Sequence, residues 1–326
     1  MEIDDILNCK YCIQLFPNDI ETAKPLYLAL MLKFHPDRCK DSRAVQICTV
    51  INEMYKRIEN CRKYKELSVC SKGNMIDFKY LISLSHGFGT EYISEKDYCI
   101  LLESDDSEEC FSRSSAVKNG YFLYGINSSI IDEAKKFLPN IESIFSTNCG
   151  TLIYMTKNNT EIPLSAVLRF HGGKLDSRHA AWIISRLLGI CCYAEIRGIV
   201  WNCLNEENLL IDPNEHSVRI GSGWWFAREE GTKLIGVQES VYEDMSISSK
   251  LSGIAEHSSD LECVKAICRR IFPSDAPDAI KDFSESVCAE NAFAEMEKWE
   301  ETIIKGFGER KFTEFLISMP DIKTLF

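Results

Sequence analysis

The chain has 326 residues, 45% hydrophobic and 26% charged, which is enough to bury a large core and excludes a disordered or fibrous protein. A formal charge of −12 repels polyanions and argues against general nucleic-acid binding unless a local basic face intervenes. The opening Met1-Glu2-Ile3-Asp4-Asp5 is acidic where a secretory leader is basic, and the most apolar run, Ile183 to Trp201, is broken by Arg186, Glu195 and Arg197. A soluble, cytoplasmic chain without a membrane partner is therefore expected.

Of the fifteen cysteines, only Cys9 and Cys12 have metal-ligand spacing, and no second pair follows at finger distance. Cys48, Cys191, Cys192, Cys263 and Cys268 sit among apolar residues and read as reduced, small core hydrophobes. No metal and no cofactor are expected. Residues 1–70 are nearly neutral, and the remainder carries almost all of the negative charge. A boundary near the turn-forming Ser71-Lys72-Gly73-Asn74 divides the chain into 1–70 and 71–326.

In chain order, Ala23, Leu26, Tyr27, Leu30 and Phe34 recur at three- and four-residue spacing and predict an amphipathic helix over 21–34, with Pro25 in its first turn. A second helix over 42–64 has Val45, Cys48, Ile51, Met54, Tyr55 and Ile58 as its inner face. Between them lies His35-Pro36-Asp37-Arg38. Two helices flanking this tripeptide, together with Tyr27-Leu28-Ala29-Leu30-Met31-Leu32-Lys33-Phe34 before it and Ile51-Asn52-Glu53-Met54-Tyr55 after it, resemble the J domain of DnaJ-type co-chaperones.

The resemblance implies a small all-α module of three helices. Its His35, Pro36 and Asp37, with Lys33 and Arg38, would engage a DnaK-type heat-shock ATPase. In that family a basic helix face steers the encounter. Here Leu28 and Ala29 stand where two cations are usual, leaving Lys24, Lys33, Arg38 and Lys40 to carry the positive charge. The alternative is a J fold retained as a structural module.

Further along, residues 82–103 read as two strands joined over Gly87 and Gly89. Asp105-Asp106-Ser107-Glu108-Glu109 reads as a solvated acidic hairpin tip, and 177–196 as one long apolar helix. A loop of residues 201–208 ending in Asn208, two short strands and Gly221-Ser222-Gly223 follow, and then Ser259-Asp260-Leu261 opens another apolar helix. This order resembles the C-lobe of a protein kinase, and Gly87-Phe88-Gly89-Thr90-Glu91-Tyr92 resembles the end of its glycine-rich loop.

The resemblance implies a bilobal α+β fold for 71–326 with Asp260 bracing the catalytic loop. Phosphoryl transfer needs a strand lysine for the phosphates, a catalytic aspartate, and an Asp–Asn pair for magnesium. Leu101 or Leu102 takes the lysine position, Cys203 the catalytic position, and Gly221 (or Ser222, one residue on) the metal-binding aspartate; only Asn208 remains. Glu133 is a candidate for the helix glutamate but has no lysine to pair with. Since this chemistry is carried by charge and position, a pseudokinase without enzymatic activity is implied.

The tail from Glu297 to Phe312 reads as a helix, a glycine stop and an extended end. It resembles the ending of bacterial and phage proteins that join a J domain to a degenerate kinase-like domain. His171 beside Gly172-Gly173 reads as a loop histidine, and Trp224-Trp225-Phe226 as buried packing. The expected function is an adaptor that recruits the ATPase and binds a second, unidentified protein. Two alternatives remain: a phage or mobile-element binding protein with both parts non-catalytic, and an atypical nucleotide-binding transferase using Asn208 and the Gly87–Gly89 loop.

Overall fold

The computed structural model describes residues 2–103, 107–124, 127–309 and 311–326. It is a mixed α and β structure, with helices first and a sheet-plus-helix region after them.

Helices α1 (Ile3–Leu7), α2 (Ile20–Phe34) and α3 (Ala44–Asn60) form the N-terminal layer. Asp19 caps α2 by accepting the Thr22 amide at 3.1 Å. Pro25 is the sixth residue of α2 rather than a first-turn residue, so the amide that would bond the Glu21 carbonyl is missing. Ile6, Phe16, Leu30, Phe34, Ile47, Ile51 and Ile58 are buried together between these helices. The Tyr27 and Tyr55 rings stack 4.1 Å apart, and the Tyr27 hydroxyl donates to Asn52 Oδ1 at 2.8 Å. Val45, expected inside, is 64% exposed: with α3 starting at Ala44, it falls roughly 120° from the inner stripe.

Strands β1 (Lys65–Ser71) and β2 (Asn74–Tyr80) form a hairpin whose turn is the 71–74 segment, with Lys72 at φ 50 and Gly73 at φ 83. The division between residues 70 and 71 thus falls within a hairpin, ten residues after α3 ends at Asn60. A five-stranded antiparallel sheet follows, built from β3 (Ile82–His86), β4 (Gly89–Ile93), β5 (Asp97–Leu102), β6 (Ile141–Thr147) and β7 (Gly150–Thr156) in the order β3-β4-β5-β7-β6. The expected two strands are therefore three. The first turn is only Gly87-Phe88, because His86 pairs with Gly89.

Both faces of β5 are covered. Cys99 and Leu101 pack with Val69 and Phe78 of the β1–β2 hairpin, while Tyr98, Ile100 and Leu102 face the main core. This two-sided burial explains an apolar run without alternation. Between β5 and β6 lie α4 (Ser107–Lys118) and α5 (Ser128–Phe137). The acidic run enters α4 instead of forming a hairpin tip; Asp105 and Asp106 lie outside the described residues, and Glu109 pairs with Arg228 at 2.9 Å.

The remaining elements are β8 (Ile162–Pro163), α6 (Leu164–Phe170), α7 (Ser177–Arg197), β9 (Ile199–Val200), β10 (Leu209–Asp212), β11 (Ser217–Ile220), β12 (Arg228–Glu229), α8 (Glu239–Asp244), α9 (Ile247–Ser252), α10 (His257–Ile271), α11 (Asp278–Glu285), α12 (Ala292–Phe307) and α13 (Met319–Ile322). Asp176 caps α7, and Gly198 ends it in the left-handed region at φ 62. Along α7, Ile183, Ile184, Leu187, Leu188 and Cys191 are buried against α10 and α12. Among the described residues no helix is long and apolar enough to cross a membrane.

The tail returns to the N-terminal layer. Helix α13 packs on α3 and α6, where the fully buried Asp321 accepts the Cys12 amide at 3.0 Å, Arg57 Nη1 at 3.3 Å, and the Ser318 amide and hydroxyl at 3.2 and 2.9 Å. Lys323 Nζ donates to the Lys63 carbonyl at 2.6 Å.

Candidate functional site

Two regions hold the residues singled out by sequence. The first is the loop closing α2 onto α3. His35 ends α2 in an extended conformation (φ −55, ψ 135), as expected before proline. Its carbonyl accepts the Arg38 and Cys39 amides at 2.9 and 2.8 Å, and its Nδ1 accepts the Asp37 amide at 3.3 Å. The loop is thus tied to itself while the His35 and Asp37 side chains stay 50% and 87% exposed. Lys33, Pro36 and Arg38 are exposed beside them, with the Lys33 ammonium 4.8 Å from the Phe34 ring. Leu28 and Leu32, one turn apart on α2, are also exposed.

The second region lies between the five-stranded sheet and the helical half. Buried Asp260, on α10, accepts the Trp201 amide at 2.7 Å and the Asn202 amide at 3.1 Å. It thereby holds a loop in which Asn202 takes a left-handed φ of 52. Burial raises the Asp260 carboxyl to about 7 despite the two amides that favour its ionised form. Cys203 follows, fully buried, and burial pushes its thiol well above the ordinary range; such a thiol is no nucleophile.

Asn208 is saturated from within the protein. Its Nδ2 donates to the Cys203 carbonyl at 2.9 Å and to Gln238 Oε1 at 2.8 Å, and its Oδ1 accepts the Ser222 hydroxyl at 3.0 Å. The chain of contacts continues into the five-stranded sheet. Gln238 Nε2 donates to Glu207; Glu207 lies 3.7 Å from His86 Nδ1; and His86 Nε2 lies 3.3 Å from Glu91 Oε2, with neither Glu91 oxygen in a hydrogen bond. Phe88, at the tip of the Gly87-Phe88 turn, packs edge-on against Trp225 with centroids 5.2 Å apart.

The cleft is therefore filled by the protein's own side chains. Gly221 sits against Leu210 and the Asn208 carbonyl, and Gly89 is required because a Cβ there would lie 2.0 Å from the Leu101 carbonyl oxygen. The Gly87-x-Gly89 spacing thus answers to strand packing at Gly89, while Gly87 stands in open space.

This chain of contacts has a titratable member. Burial lowers the basicity of His86, but the carboxylates of Glu207 and Glu91 outweigh it and raise the imidazolium to about 9. A histidine raised on folding stabilises fully below its unfolded value near 6.5, and that stability is lost as pH rises through 9. Because Glu207 is half exposed and screened by solvent, the loss expected between these limits is on the order of 1–2 kcal/mol. Denaturant titrations at several pH values check it, and His86→Gln should flatten the curve.

Sequence reasoning brought Cys203, Asn208, Gly221, Ser222 and Asp260 to one place but missed His86, Glu91, Glu207 and Gln238. One signal was available: Gly89, Glu91 and Ile93 share a strand face, which sends a carboxylate inward. Glu133 is exposed and pairs with Lys136 of its own helix at 2.7 Å. His171 caps α6 beside Lys10, Tyr11 and Phe315, and burial with Lys10 lowers it to about 4. Cys12 Sγ donates to the Met54 carbonyl, and among the described residues no group of three or more His, Cys, Asp or Glu could hold a metal. No known protein family matches this chain, and no curated protein resembles it.

Proposed function

We propose that the chain is a co-chaperone-type adaptor: a J-like module that recruits and stimulates a DnaK-type ATPase, joined to a non-catalytic kinase-like body that binds a protein partner. The observation that carries this reading is the exposed, self-braced His35-Pro36-Asp37 loop on a module whose other end is tied to the body through Asp321. A rigid loop on an anchored support loses little entropy on docking, and its exposed aspartate is available to a cationic partner.

Support for the kinase-like body comes from three features. The sheet is antiparallel with two strands and a helical segment inserted after its third strand; a buried aspartate holds a loop by two amides; and an asparagine lies five residues after Cys203. Support for an inactive body comes from the contacts that use Asn208 internally, and from Cys203 in place of the catalytic aspartate and Gly221 in place of the metal-binding one that the chemistry would need. With these charges gone, nothing balances a triphosphate and its metals.

The full chain should raise the steady-state ATP turnover of a DnaK-type ATPase severalfold, and Asp37→Asn should abolish the rise without changing the melting temperature. Unchanged turnover at saturating wild-type protein overturns the proposal.

A further inference from the structure

On α7, Arg178, Trp182 and Arg186 follow at four-residue spacing and so share one face. The indole of Trp182 stacks on His216 at 4.7 Å with planes 4° apart, and His216 stacks on Phe312 at 4.4 Å and 18°. His216 holds this position with a left-handed φ of 47, a conformation that costs energy in a non-glycine residue. Burial and the charge of Arg186 lower the His216 imidazole, so its ring is neutral near pH 7. The stack ends on Phe312, which is 69% exposed and leaves an aromatic face open to solvent.

Three cations line the same cavity as Phe312. Arg186 Nε donates to the His216 carbonyl at 2.7 Å, the Arg178 guanidinium lies 5.0 Å from the Phe307 ring, and Lys311 lines the same cavity of about 330 Å³. None of the three pairs with a carboxylate among the described residues. Glu309 is the single carboxylate among the described lining residues. In a protein of charge −12, a cavity lined by three cations and one carboxylate is locally net positive, and an anion is attracted to it.

We propose that this pocket binds a nucleoside phosphate, free or within a single strand, with the base stacked on the outer face of Phe312 and the phosphate held by Arg178, Arg186 and Lys311. The ligand chemistry follows from the two halves of the site. Every nucleobase offers a planar face to an aromatic ring whatever its sequence, and guanidinium groups match phosphate oxygens geometrically. The cavity is at the small end of the ligand-binding range, fitting one nucleotide. The site is separate from the cleft and independent of its reading.

The test is calorimetric titration of the full chain with AMP, with a short single-stranded RNA and with inorganic phosphate. AMP should bind about tenfold tighter than phosphate, and Phe312→Ala should remove about tenfold of the AMP affinity while leaving phosphate binding unchanged. Arg178→Ala combined with Lys311→Ala should weaken all three ligands. RNA binding that exceeds AMP and falls steeply with salt identifies a strand as the source, whereas equal affinities identify the free nucleotide. Because Phe312 is exposed, its substitution should leave the melting temperature unchanged. No binding of AMP or RNA at millimolar concentration, or AMP binding indifferent to Phe312→Ala, overturns the proposal.

Discussion

Asp260→Ala should destabilise the chain by about 2–4 kcal/mol, because it leaves two buried amides without an acceptor, each worth about 1–3 kcal/mol when orphaned. The amides belong to Trp201 and Asn202, and Asn202 is held at positive φ, so the loop should relax and carry Cys203 and Asn208 out of the chain of contacts. The acid's own titration adds a second signature. A carboxyl raised on folding from 3.8 to about 7 means that the native state binds the proton more tightly, so this group's contribution falls as pH rises from 3.8 through 7. Asp260→Ala should therefore remove a loss of stability that wild type suffers across that window. Denaturant midpoints at several pH values measure both effects, and a change below about 0.5 kcal/mol, the size of an ordinary surface substitution, would show that Asp260 does not hold the loop.

Asp321→Ala should cost about 3–5 kcal/mol, the range for removing one partner of a buried ion pair. Asp321 is fully buried while Arg57 remains 17% exposed, so solvent partly rescues the cation and the lower end is expected. The Cys12 amide and the Ser318 amide and hydroxyl also lose their acceptor. The effect should be local as well as global: with α13 detached, the segment from Asn60 to Tyr64 becomes a site of rapid tryptic cleavage at Arg62 and Lys63. Asp321→Asn keeps one acceptor oxygen and should fall between wild type and alanine. An unaltered digestion rate in Asp321→Ala would mean that the tail does not anchor the N-terminal helices.

The parts legible in the sequence are those with local causes. The periodic spacing of Cys48, Ile51, Met54, Tyr55 and Ile58 locates α3, and the apolar length of 177–196 locates α7, because both patterns record one helix facing one core. The strand count over 82–103 fell short by one because two turns join its three strands, and the second, Ser94-Glu95-Lys96, contains neither glycine nor proline to mark it. In the second region, the grouping of Cys203, Asn208 and Gly221 was legible from their order in the chain. Its continuation was not: His86 and Glu207 lie far apart in sequence, and each looks like an ordinary surface polar residue. Asp321 was invisible for the same reason, since its partners Arg57 and Cys12 precede it by 264 and 309 residues.

That separation also sets a delay during synthesis. At ribosomal rates, roughly 15–60 s pass between the addition of Cys12 and that of the carboxylate that accepts its amide. Through this interval the first helices must hold together by their own packing around Ile47 and Ile51, with the Arg57 charge still lacking its buried counterpart. The Asp321 junction is consequently a late event, and in a ribosome-bound nascent chain stalled before residue 321 the N-terminal module should be held only by earlier contacts such as those of Tyr11 with Phe170 and His171.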